Sequence, residues 1–327
     1  MGNPVIEPVE TGAIDMAEVR KQRWRWLAWL LTFRLEEILA VFAIPPIIYY
    51  TLKAYFYYQA QGHIPEIFLA DISRVFWIAI FAIIGTIIVR YKPQWELFHS
   101  ILPLAYCLAV YTNLHDTIPF MNPHDIHFAL IRIDQWLFSV QPSIWTEQFV
   151  HPWLTETFSF CYWSYFLLIP LLPAILYYQK RYPQFREVVI STIFCLYAGY
   201  ILYVIFPAVS PSIILKDLYT VPLNGTPFTD ATIGLANTLP SDVRDAFPSL
   251  HAGIAFLSLI FAWKYLRRVF WVILPICTGL VLSTIYLRHH YFIDLPAGFL
   301  LGYLGYKYSG RIDSWWRLKQ SAFKYTS

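Results

Sequence analysis

Three histidines and one aspartate stand in two short strings of this sequence, where their neighbours favour chemistry at a helix end. The first string is Phe247-Pro248-Ser249-Leu250-His251-Ala252-Gly253, and the second is Arg288-His289-His290-Tyr291-Phe292-Ile293-Asp294-Leu295. Proline suits a helix start, where its fixed φ fits and its missing N–H is not needed. A helix is therefore expected to begin around Pro248 and to carry His251 in its first turn. His290 and Asp294 are four residues apart, which on a helix puts them on one face within hydrogen-bonding reach. A carboxylate on one imidazole nitrogen fixes the tautomer and raises the basicity of the other nitrogen. That is the state a histidine nucleophile or base needs. Arg288 adds a planar cation suited to phosphate oxygens, and the open N–H groups of a helix start prefer the same charge. Residue types alone favour a phosphate-handling site. A structural pair or proton relay and a zinc site made of His251, His290 and Asp294 are the competing readings. Arg288 and the lack of further acids weigh against the metal.

The elements that must position these residues are set by composition. The chain has 327 residues, of which 57% are hydrophobic, 19% aromatic and 14% charged, whereas a soluble domain carries roughly 25% charged residues. So little charge excludes a soluble two-domain enzyme, and so much apolar content excludes disorder. A net charge of +3 with no basic face excludes nucleic acid as a partner. The cysteines (Cys107, Cys161, Cys195, Cys277) sit in apolar stretches without CxxC spacing and read as packing residues. The expected fold class is an all-α integral membrane protein.

A spanning helix needs about 20 mostly apolar residues. Such stretches run roughly over 75–89, 97–113, 154–177, 187–207, 248–263, 269–287 and 291–306, with an eighth over 35–57 interrupted by Pro45 and Pro46. The Trp-rich stretch from Trp24 to Phe33 reads as interfacial. With the N-terminus inside, the basic residues of the short loops (Arg90 and Lys92; Lys180, Arg181 and Arg186; Lys264, Arg267 and Arg268) all fall on the cytoplasmic side. Lys307, Arg311, Arg317, Lys319 and Lys324 of the C-terminal tail join them. Both termini are thus expected inside, with the polar N-terminal tail retained, and both histidine strings on the extracytoplasmic face. Two long segments share that face. Residues 114–153 hold His124, His127 and Arg132 within an amphipathic pattern (Phe128, Ile131, Trp136, Leu137, Val140), and residues 208–247 read as a loop.

Pro248-Ser249-Leu250-His251 resembles the second signature of the type 2 phosphatidic acid phosphatase (PAP2) superfamily, and His290-x-x-x-Asp294 resembles the end of its third. The string His289-His290-Tyr291-Phe292-Ile293-Asp294-Leu295, followed by Gly298, is similar to the inositol phosphorylceramide synthase branch. Phe206-Pro207-Ala208-Val209-Ser210-Pro211 falls where the first signature sits, but lacks its usual Lys and Arg. Ser283 and Thr284 stand where Ser-Arg usually opens the third. The resemblance implies a six-helix catalytic core over 97–307, preceded by a tail (1–25) and two additional helices (26–96) and followed by a basic tail (308–327). It further implies a lipid phosphotransferase or phosphatase that needs no metal or other cofactor and whose partners are lipids in the bilayer. His290 would be the nucleophile, Asp294 its orienting acid and His251 the general acid and base. Arg288, Ser249 and His289 would bind the phosphate, with Lys216, Arg244 or Arg132 replacing the missing cations. The departures fit head-group transfer better than generic phosphate release. A proton- or anion-coupled transporter and a lipid-binding scaffold are the alternatives from other classes.

Overall fold

The structure is a computed structural model and describes residues 30–91, 96–236 and 243–326. The N-terminal tail and the start of the Trp24–Phe33 stretch lie outside the described residues. The chain is helical at each of the eight predicted places. We number the main helices α1 (Leu35–Ala60), α2 (Glu66–Tyr91), α3 (Glu96–Met121), α4 (His127–Phe138), α5 (Pro152–Trp163), α6 (Tyr165–Tyr178), α7 (Tyr182–Ile205), α8 (Pro227–Ala236), α9 (Leu250–Tyr265), α10 (Arg267–Tyr286) and α11 (Asp294–Thr326).

Several boundaries differ from the sequence reading, each for a local reason. Pro45 and Pro46 lie inside a continuous α1 rather than breaking it. The span expected over 154–177 is two helices, α5 and α6, bent by 46° at Ser164, whose hydroxyl donates to the Cys161 carbonyl at 2.5 Å. α3 runs eight residues past the expected end at 113. α9 starts at Leu250 instead of Pro248, because the Ser249 side chain caps it by accepting from the Ala252 N–H at 3.3 Å. The basic C-terminal segment continues α11 through residue 326. There Trp316 and Gln320 donate to the Phe33 carbonyl at 3.0 and 2.8 Å.

Three helices, α1, α7 and α10, are each long and apolar enough to cross a bilayer, and the bent pair α5–α6 makes a fourth. α9 is apolar but only 16 residues long. By length and apolarity alone, four of the expected eight spans qualify among the described residues. The outer surface supports the membrane assignment. Phe81, Leu167, Val272 and Leu300 are all more than half exposed on different helices, an apolar coat that water would not tolerate over such an area. This is a multi-pass membrane protein.

α7 is the central helix, with most of its side chains buried against α3, α6, α9 and α11. The contact that matters most for the histidines is α9 against α11. A Cβ on Gly298 would lie 2.2 Å from the Ser249 carbonyl oxygen, and one on Gly302 would lie 2.4 Å from that of Gly253. The two backbones touch, as a small-xxx-small face permits. That crossing brings the starts of both helices, and with them both signature strings, to one end of the bundle.

Candidate functional site

Three segments far apart in sequence meet at that end through main-chain bonds. Ala246 N–H donates to the Ala208 carbonyl at 3.0 Å, Ser212 N–H to the Arg288 carbonyl at 2.8 Å, and Ser249 N–H to the Asp294 carbonyl at 3.1 Å. The Tyr291 hydroxyl donates to the Val209 carbonyl at 3.0 Å. The string lacking Lys and Arg, Phe206 to Pro211, therefore contributes backbone acceptors that hold the other two strings together.

His290 does not share a helix face with Asp294, as the spacing suggested. Arg288 adopts φ +65°, a left-handed conformation that ends α10. The N–H groups of His289 and His290 then fold back onto the Thr284 carbonyl at 2.9 and 3.0 Å. His290 thus projects from a turn before α11. Asp134 of α4 clamps the same turn by accepting from the N–H groups of Phe292 (2.7 Å) and Ile293 (3.1 Å). Asp294 accepts from Tyr291 N–H at 2.8 Å. Burial pushes the Asp134 carboxyl up, against the two N–H bonds that pull it down.

His290 Nδ1 lies 2.7 Å from the Ala246 carbonyl oxygen and 3.4 Å from Asp294 Oδ2. A carbonyl can only accept, so Nδ1 carries the proton and neutral His290 presents its lone pair on Nε2. The main-chain carbonyl is therefore the nearer partner, and the carboxylate lies behind it. Asp294 is completely buried, and its Oδ1 has no partner. His290 Nε2 stands 3.2 Å from His251 Nδ1. The His251 ring is held on two sides, stacked on Tyr162 with centroids 4.5 Å apart and against Tyr165 at 4.5 Å. Those tyrosines flank the α5–α6 bend, and Tyr162 also stacks on His289 at 4.5 Å. Burial, then the neighbouring His290, lowers His289 to about 4. The pair has the chemistry of an imidazole lone pair facing a second imidazole that can hold or take a proton.

The remaining predicted residues are placed differently. Ser249 is fully buried, its hydroxyl accepting from the Ala252 N–H as a helix cap and its own N–H donating to the Asp294 carbonyl, so it positions the strings. Arg288 Nη2 binds Glu147 at 2.9 Å and the Val221 carbonyl at 2.6 Å, and its guanidinium lies 3.9 Å from the Tyr219 ring centroid. Arg288 and Lys216 do line one cavity of about 330 Å³, together with Ser212 and Tyr219, but neither His251 nor His290 borders it. The cation nearest the histidines in sequence is thus tied to a loop, because a buried guanidinium requires a counter-ion. Arg244 pairs with Asp125 at 2.8 Å. Arg132 is exposed on α4. Among the described residues no group of three His, Cys, Asp or Glu is placed to hold a metal ion.

Sequence reasoning missed the carboxylates that organise the loops. Glu147 accepts from the N–H groups of Thr220 (3.0 Å) and Val221 (3.1 Å) as well as from Arg288. Burial would raise its carboxyl, but those donors together hold it below the usual carboxylate range. Glu156 accepts from the N–H groups of Thr226, Phe228 and Thr229 at 3.0–3.1 Å. Asp245, which accepts from the Tyr111 hydroxyl at 2.8 Å, was also overlooked. No spacing rule marks these contacts, since their partners lie 70 to 141 residues away.

Residues 128–308 match the PAP2 superfamily. Over 69 residues the chain is 38% identical to the inositol phosphorylceramide synthase catalytic subunit of Saccharomyces cerevisiae, covering 21% of this chain and 17% of that protein. Over 72 residues it is 42% identical to the inositol phosphorylceramide synthase of Candida albicans, covering 21% and 14%. The matched part is thus less than a fifth of either fungal protein. A longer match, 27% identical over 216 residues, is to the phosphoinositol dihydroceramide synthase of Bacteroides thetaiotaomicron and covers 58% of this chain and 69% of that protein. No solved structure matches the chain.

Proposed function

This chain belongs to the PAP2 superfamily, and on that premise we propose that it transfers a phosphorylated head group between lipids through a phosphohistidine on His290. The observation that carries the reading is the His290 ring, with Nδ1 held by a carbonyl and Nε2 open toward His251 at 3.2 Å. In the first step the Nε2 lone pair forms a bond to phosphorus while the bond from phosphorus to the leaving oxygen breaks. His251, protonated, gives its Nδ1 proton to that oxygen. In the second step neutral His251 takes the proton of the incoming hydroxyl, whose oxygen displaces His290 from phosphorus. The 3.2 Å contact is the resting arrangement, and the phosphate enters between the two rings. Asp294 stabilises positive charge on His290, while Ala246 and Tyr162 fix the ring planes.

The names of the relatives favour an inositol phospholipid as donor and a ceramide-like alcohol as acceptor. In this reading the catalytic core spans 97–307, both termini are cytoplasmic, eight spans cross the bilayer, and the histidines face the opposite side. The site lies at one end of the bundle, whereas transport sites sit near the midplane, which disfavours a relay. The test is product analysis with purified protein, labelled phosphatidylinositol and ceramide, with and without EDTA. A new inositol-phosphate-bearing sphingolipid that survives EDTA is expected. Release of inositol phosphate alone would make the protein a hydrolase, and loss with EDTA rescued by zinc would overturn the metal-independent mechanism.

A further inference from the structure

At the end of the bundle away from the histidines, α7, α9 and α11 border a cavity of about 710 Å³. Five cations line it, Arg186, Lys264, Lys307, Arg311 and Arg317, against two carboxylates, Glu187 and Asp313. Both carboxylates are engaged. Asp313 holds Arg186 at 2.7 Å and Arg317 at 3.2 Å, and Glu187 holds Lys264 at 3.0 Å and the Tyr265 hydroxyl. Lys307 and Arg311 have no carboxylate partner among the described residues. They stand four apart on α11, hence on one face. One and two turns further on, Trp315 and Leu318 line the same cavity and are 54% and 69% exposed. A solvated charged face would need neither a concavity nor an apolar lip, and its signs would balance.

We propose that this cavity binds the head group of an anionic phospholipid, with phosphate oxygens on Lys307 and Arg311 and acyl chains along Trp315 and Leu318. The guanidinium of Arg311 can take two phosphate oxygens at once, and Lys307 supplies a point charge. Basic pockets between membrane helices are suited to anionic head groups in general. Lys307 lies about 20 Å along α11 from Asp294, at 1.5 Å per residue, so this lipid is held as a ligand and does not react.

The test uses the purified full chain in detergent, offered palmitoyl-oleoyl phosphatidylglycerol or the matching phosphatidylcholine and read by native mass spectrometry. Phosphatidylglycerol is expected to be retained at least about tenfold better, with the preference lost in Lys307→Ala/Arg311→Ala. It should also be weakened in Gly310→Leu, which puts a branched side chain into the cavity. A Cβ there meets only Glu187 Cγ, at an ordinary 3.6 Å, so Gly310→Leu decides if the double variant does not fold. His290→Ala should bind as the unaltered chain does. Equal retention of the two lipids, or an undiminished preference in the folded variants, overturns the proposal. So does displacement of the lipid by inorganic phosphate at comparable concentration, which would make free phosphate the ligand.

Discussion

The Arg186 cluster at one end of the helix bundle and the histidine pair at the other are held in opposite ways. At one end Arg186 lies between Glu36, at 2.5 Å, and Asp313, at 2.7 Å, and ties α1, α7 and α11 together by fixed charge. At the other end the facing imidazoles are held by a main-chain carbonyl, by each other and by tyrosine rings, with one carboxylate standing behind. A buried ion pair is rigid and electrostatically closed, because each charge is already neutralised. Imidazoles oriented by neutral groups keep a lone pair and a transferable proton. The contrast separates a staple from a reactive site, although both are clusters of polar residues at helix ends.

The sharpest way to break that distinction is to remove groups from each end in turn. His290→Ala should lower turnover of labelled lipid by at least about 10⁴-fold, and His251→Ala by about 10²–10⁴-fold, with insertion and thermal stability unchanged. Near-normal turnover in His290→Ala would end the nucleophile assignment. Arg186→Ala should do the reverse. It leaves the buried Glu36 and Asp313 without their shared cation, so stability in detergent should fall by about 3 kcal/mol while turnover of the folded fraction stays within a few-fold. A loss of turnover that outruns the loss of fold would mean the two ends are coupled.

A finer probe is Asp294→Asn. The Ala246 carbonyl still fixes the His290 tautomer, so the rate should drop less than in His290→Ala, by about tenfold to a hundredfold. A loss equal to that of His290→Ala would make the carboxylate the dominant partner. The smallest expected effect is on pH dependence. His289 is lowered from the ordinary 6.5 to about 4, so the unfolded chain takes up its proton first as pH falls. Stability should therefore decline as pH drops from about 6.5 toward about 4. His289→Phe keeps a ring on Tyr162 but removes the titration, so the slope of melting temperature against pH in that window should flatten. An unchanged slope would mean other groups carry it.

Much of this was legible in the linear sequence. Low charge and long apolar runs required a bilayer and helices, because backbone polar groups in lipid must be satisfied within the segment. The types and local context of His251, His290 and Asp294 pointed to a histidine site at helix starts, and Gly298 with Gly302 could have signalled close helix contact. What spacing could not decide was the partner of each group. Four-residue spacing implied a helical His–Asp pair, but the left-handed Arg288 ends the helix first and the Ala246 carbonyl takes the nearer place. Nor could spacing show that Glu147, from another segment, is the counter-ion of Arg288. Helix formation and burial follow from local composition and periodicity. Pairing is decided by which distant segments the packed backbone brings within hydrogen-bonding reach, and only the α9–α11 crossing and the loops folded over it settle that.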